Sequence, residues 1–331
     1  MNKNELLQAV INGQQTGRIP FSFWAHLPDI DRNATKIAQA TYQFYLDYDL
    51  DFIKTLNNGM YSIEDYGTDI DFSEIAKGGV AKVVSTPIKN YADFESITSL
   101  PVHEGALGRE LDYLKQLLAL VNGEAPVIFM VFSPLTTLDK LTGGKLKEFI
   151  EQDTKGLIEK ALAVIAETTK ELAEEAIEMG AAGVYFASQS IAVDKFTAEQ
   201  FLQYGRPYDL KVLEGAGQGW FNAIHIHGDE IHFDLVKDYP IQVFNWHIGE
   251  AKPSIQEGQV LTGKCIMGGL QRFDITDNRL SQLKEQIEGS IAEMGGTHHI
   301  LTPGCGVRLP FDQETIQYIH QVKSEVESAL K

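Results

Sequence analysis

Short apolar runs recur along the chain, and between most of them apolar residues repeat every three to four positions. Runs of four to eight apolar residues bounded by turn formers mark buried strands, and the longer spacing marks helices with one buried face. In order, the runs predict strands over Gly17–Trp24, Leu50–Leu56, Pro126–Phe132, Gly183–Ala187, Phe221–His227, Ile241–Trp246, Cys265–Leu270 and His298–Thr302. Helices are predicted over Asn4–Asn12, after a cap at Asn33 or Thr35, around Gly108–Val121 and over Thr154–Met179, where Gly180 supplies the stop. Thr197–Gln200 matches a capping box, a further helix is capped near Thr276, and the last runs from Asp312 with Ile316, Ile319, Val322 and Val326 on one face.

Eight strands alternating mostly with helices predict a (β/α)8 TIM barrel, a single α/β domain over residues 1–331. Residues 57–108 are less regular and read as an insertion covering one end. Strand order is not legible in a sequence, so a doubly wound open sheet is the structural alternative.

Composition narrows the function more than the fold. With 28 basic and 46 acidic residues the formal charge is −18, so neither nucleic acid nor an anionic membrane is an expected partner. Two cysteines, Cys265 and Cys305, make no disulfide framework and suit a reducing compartment. No run is long and apolar enough for a membrane span. The expectation is a cytoplasmic protein, monomer or homodimer.

Barrel enzymes carry their chemistry at the carboxyl ends of the strands. Here those ends hold Trp24, His26, Gln189, His225, His227, Trp246, His247, Arg272 and Cys305. His225 and His227 are two apart on one predicted strand, so both imidazoles face the same way. With the Cys305 thiolate they make a donor set suited to zinc, which takes nitrogen and sulfur ligands. Cys265, His298 and His299 start their strands and read as packing residues. Gly215–Gly219 precedes a strand, whereas a dinucleotide fingerprint follows one. Arg272 and Arg308, in glycine-containing loops after the last two strands, are candidates to hold an anionic substrate group.

Several stretches in order resemble the uroporphyrinogen decarboxylase superfamily: Gly17–Pro20, Pro126–Thr137, Gly183–Ser188 followed by Phe201–Tyr208, Cys265–Leu270 and His299–Pro310. The resemblance implies a distorted (β/α)8 barrel. Uroporphyrinogen decarboxylases proper carry an arginine-rich N-terminal segment, but Phe21–Arg32 holds one arginine and two aspartates. Phe186–Gln189 likewise lacks the family's acid. The chain is more similar to the methylcobalamin:coenzyme M methyltransferases, whose zinc is held by a His-x-Cys-Gly stretch and a late Gly-Cys pair. His225–Gly228 matches the first with His227 in place of the cysteine, and Gly304–Cys305 matches the second.

That branch implies a zinc-dependent methyltransferase that activates a thiol, with methylcobalamin on a corrinoid protein as donor. His225, His227 and Cys305 are the implied metal ligands. His247 and His26 are candidates for ligand exchange or proton transfer, and Trp24, Tyr185, Gln189, Trp246, Arg272 and Arg308 for the substrate pocket. The other readings are a decarboxylase of uroporphyrinogen or a related carboxylated substrate, and a corrinoid- or thiol-binding protein without catalysis.

Overall fold

The computed structural model describes residues 1–75 and 81–329. Its centre is a parallel sheet of seven strands: β1 (Ile53–Lys54), β4 (Val127–Phe132), β5 (Gly183–Ser188), β6 (Ala223–Ile226), β7 (Val243–Trp246), β8 (Cys265–Leu270) and β9 (His299–Pro303). They are hydrogen-bonded in the order β1-β4-β5-β6-β7-β8-β9. Each neighbour is the next barrel strand along the chain, which is the order of a wound barrel and not of a doubly wound sheet. The fold is a distorted (β/α)8 barrel.

The distortion lies at the first expected strand. Gly17–Trp24 forms no ladder, only a single parallel bridge from Phe21 to Leu301, with a second just beyond it from Ala25 to Val307. The backbone donors explain this. Pro20 has none. The N–H of Ile19 donates to the Glu327 carboxylate at 2.6 Å, and that of Phe21 to Asp51 Oδ2 at 2.8 Å. Enough remains to close the ring. Leu301 N–H donates to Pro20 O at 2.8 Å, and Asp51 N–H to Phe21 O at 2.8 Å. The segment thus sits between β9 and the approach to β1.

Elsewhere the periodicity is realised with small shifts. The long helix runs Leu157–Glu178, because Gly156 is left-handed at its start. The Thr197 capping box forms, with Gln200 N–H on Thr197 Oγ1 at 3.2 Å and Thr197 N–H on Gln200 Oε1 at 3.0 Å. Thr276 caps nothing. It ends a short helix, Arg272–Thr276, and the next spans Leu280–Met294. Its hydroxyl donates back to Arg272 O at 3.1 Å, as threonines inside helices often do.

Of the insertion expected at about 57–108, residues 76–80 lie outside the described residues. The rest holds the helix Tyr61–Glu64 and an antiparallel pair, β2 (Asp69–Asp71) with β3 (Lys82–Ser85), outside the barrel sheet. Among the described residues no helix is long and apolar enough to cross a membrane.

Candidate metal centre

β6 and β7 pair so that His225 stands beside Asn245. Side chains alternate along a strand, so His225 and His227 turn into the barrel, and so do Asn245 and His247. Cys305 arrives from the turn after β9. The nitrogens of His225, His227 and His247 and the sulfur of Cys305 all lie within 4.8 Å of one another.

The spacing fits one ion. Zinc bonds of about 2.0 Å to nitrogen and about 2.3 Å to sulfur give tetrahedral edges of roughly 3.3 Å between nitrogens and roughly 3.6 Å from nitrogen to sulfur. His225 Nε2 and His227 Nδ1 are 3.3 Å apart, and Cys305 Sγ is 4.0 Å from His227 Nδ1. Hydrogen bonding in His247 points the same way. The residue is 5% exposed, yet among the described residues neither of its ring nitrogens has a hydrogen-bond partner. The nearby Glu250 carboxylate is 3.8 Å from its Nδ1, too far for one. By contrast His232, His299 and His320 each place a nitrogen on a backbone carbonyl, at 2.8, 3.0 and 2.9 Å. These are histidines of the packing kind; His247 is not.

The tautomer of His225 is set from outside the cluster. Asn245 donates its amide to Met267 O at 2.7 Å, which aims its Oδ1 at His225 Nδ1, 2.6 Å away. Tyr185 also donates to that oxygen, at 2.9 Å. His225 must therefore carry its proton on Nδ1, and its Nε2 lone pair faces the cluster. Loss of such an outer partner typically lowers metal affinity about 10–100-fold. Asn245→Ala is expected to show that loss in competition with a zinc chelator, while Tyr185→Phe stays within about threefold. Unchanged affinity in folded Asn245→Ala would remove Asn245 from the site.

Burial pushes the Cys305 thiol up, but the adjacent rings of His225, His227 and His247 outweigh it and hold the thiol well below its ordinary value. Burial in turn lowers His225, against the pull of Cys305. A thiolate beside a neutral His225 is the protonation state in which both are metal donors.

Three members of the cluster, His225, His227 and Cys305, line a cavity of about 250 Å³. Trp24 and Tyr185 line it edge to face at 5.3 Å, and Gln189 and Arg272 also reach it. His26 also lines it, and burial of its imidazole, then Lys54, lowers its pKa to about 4.

Two expected pocket residues are elsewhere. Trp246 follows the inward Asn245 and so points outward. It is fully buried against Phe233, with its Nε1 donating to Pro253 O at 3.0 Å. Arg308 is exposed outside the cavity, with its guanidinium 5.4 Å from the Phe273 ring centroid. Sequence reasoning missed Asn245, Lys54 and Lys140. The last two line the cavity from β1 and from the helix Pro134–Leu141. A lysine within an apolar strand run was the available signal for Lys54, since lysine is seldom buried without a reason.

The chain matches the family model described as uroporphyrinogen decarboxylase (URO-D) over residues 2–325. No curated protein matches it by sequence. Among solved structures it is similar to a methyltransferase from Methanosarcina mazei, with a TM-score of 0.81 at 16% identity over 98% of this chain and 99% of that one. It is also similar to a B12-independent methionine synthase from a Shewanella species, with a TM-score of 0.58 at 13% identity over 95% and 94% of the two chains. At these identities the likeness is one of fold.

Proposed function

The chain belongs to the uroporphyrinogen decarboxylase family, whose model spans it almost from end to end, and from that premise we propose that it is a zinc-dependent enzyme transferring a methyl group to a small thiol. The observation that carries the reading is the four-residue cluster of His225, His227, His247 and Cys305, with a buried histidine that has no other hydrogen-bond partner. That the fold is shared with a methyltransferase and a methionine synthase supports it. So does the cavity of about 250 Å³, below the usual range of about 300–1,000 Å³ for ligand pockets and too small to enclose a tetrapyrrole.

His225, His227 and Cys305 are the permanent ligands in this reading. When bound there, zinc supplies Lewis acidity that lowers the pKa of a substrate thiol, the more so with neutral histidine where the related branch has a thiolate. His247 would complete the donor set around the metal, and His26, which also lines the cavity, would accept the thiol proton. Trp24, Tyr185 and Gln189 enclose the substrate and keep water from the sulfur. The sulfur then attacks the methyl carbon, a C–S bond forms, and the donor leaves with the electron pair of the broken bond. The methyl donor is a corrinoid carried by a partner protein.

Zinc-loaded protein given methylcobalamin and a panel of small thiols is expected to form the S-methyl thioether, read by mass spectrometry. No thioether from any thiol, together with coproporphyrinogen formed from uroporphyrinogen, would replace this reading with decarboxylation, the second reading. Lys54, Lys140 and Arg272 in the lining are the observation that favours it, because they would suit a carboxylated substrate. Thiol binding without turnover would leave a binding protein.

A further inference from the structure

An ion held by His225, His227, His247 and Cys305 takes one nitrogen lone pair from each histidine. For His225 the second nitrogen is accounted for, because Nδ1 meets Asn245 Oδ1 at 2.6 Å. For His247 it is not. The residue is 5% exposed, both ring nitrogens are buried, and among the described residues neither has a hydrogen-bond partner. Polar atoms taken out of water normally find partners within the protein. One ion explains only half of this ring.

Two carboxylates reach the other half from outside the cavity. Asp229 comes just after β6 and Glu250 just after β7, and neither lines the cavity. An oxygen of each and a nitrogen of His247 all lie within 4.8 Å of one another. Glu250 Oε2 is 3.8 Å from Nδ1, so this acid stands at the Nδ1 edge and Nε2 is left for the inner cluster. The backbone sets both acids in place. Glu250 and Ala251 donate their N–H groups to His247 O at 3.0 and 2.8 Å, which folds the chain back beside the ring. Gly228, at φ +138°, turns the chain between His227 and Asp229, and a Cβ there would lie 2.8 Å from Ala192 Cβ. Among the described residues neither carboxylate accepts a hydrogen bond or pairs with a lysine or arginine. Water can serve the exposed acids, but not the buried Nδ1 beside them.

We propose that Asp229, Glu250 and His247 Nδ1 form a second divalent-cation site, joined to the inner cluster through the His247 ring. Two carboxylates and an imidazole suit a first-row transition ion such as zinc or manganese, whereas magnesium and calcium take oxygen ligands. The two anionic ligands neutralise the charge of the ion. When both nitrogens of His247 bind metal, the ring proton passes to bulk buffer and the two cations share the charge left on the ring. Because its acids are exposed, this is the weaker site, filled by added zinc and emptied during purification. It goes beyond the methyl-transfer reading and depends on neither the thiol nor the donor.

Equilibrium dialysis of the whole protein against zinc, read by elemental analysis, tests this. Native protein is expected to take up two equivalents and the double variant Asp229→Asn, Glu250→Gln one, with the same melting temperature before zinc is added. Each single substitution should weaken the second equivalent at least about tenfold, as loss of even an outer partner does, and leave the first within about threefold. Uptake that stops at one equivalent in native protein overturns the site. So does a second equivalent that survives in the double variant, which is the result that other surface carboxylates would give. A single equivalent that weakens about 10–100-fold in Glu250→Gln also overturns it, and makes Glu250 the outer partner of His247 instead. Cys305→Ala separates the two sites. In excess zinc it should lose the tight equivalent and keep the one that depends on Asp229 and Glu250. A tight equivalent unchanged in Cys305→Ala would overturn the inner assignment and leave the outer one standing.

Discussion

Cys305→Ala is expected to be purified with less than about a tenth of an equivalent of zinc, against about one equivalent for the native protein, since buried metal sites retain their ion. Cys305 is the only anionic member of the cluster, and its thiol is held well below its ordinary value by the three histidines around it. Alanine leaves three neutral imidazoles to share a doubly charged ion. The loss should exceed the roughly 10–100-fold that follows removal of an outer partner. His225→Ala is expected to behave similarly, because its Nε2 is oriented into the cluster by Asn245. Elemental analysis and melting temperature with and without a chelator both read the effect independently of turnover. The chelator should lower the melting temperature of native protein and leave Cys305→Ala unmoved. Native protein holding under about half an equivalent, unchanged in either variant, would sink the metal reading.

Gly304→Ala should be nearly as damaging, for a reason that concerns backbone. A Cβ at Gly304 would lie 2.6 Å from Trp246 O and 2.8 Å from His247 Cα. Neither is a side chain that can rotate away, so the ends of β7 and β9 must separate. Overpacking of this kind costs about 1–3 kcal/mol. The separation also acts on the site, since Gly304 is bonded to Cys305 and its Cβ would press on His247. Metal affinity is expected to fall at least tenfold, in the manner of a lost outer partner, together with the melting temperature. Gly306→Ala is the control. The nearest atoms to its Cβ would be on the side chains of Trp24 and His26, at 3.4 and 3.5 Å. That is ordinary contact, and such a change typically stays within about 0.5 kcal/mol. A Gly304→Ala protein with native melting and native zinc content would show that the strand ends have slack.

The barrel was legible because its signals are local. A strand buried on both faces must be apolar throughout, and Cys265–Leu270 begins and ends where its run does. Helix stops are equally local: Gly180, at φ +111°, follows the long helix as expected. The first strand misled for the opposite reason. Its run is apolar, but the acceptors that take its donors, Asp51 and Glu327, come from distant parts of the chain.

The candidate site divides along the same line. Period-two alternation is a property of one strand, so the sequence alone determined that His225 and His227 share a face, and that Asn245 and His247 do. Applied to Trp246, the same rule would have turned it away from the pocket. Register and closure are properties of pairs of strands. Only the tertiary structure decided that His225 stands beside Asn245, that Cys305 comes within 4.0 Å of His227, and that Lys54 is buried beside the same cavity. These juxtapositions join residues far apart in sequence, and they depend on distances that no local pattern encodes.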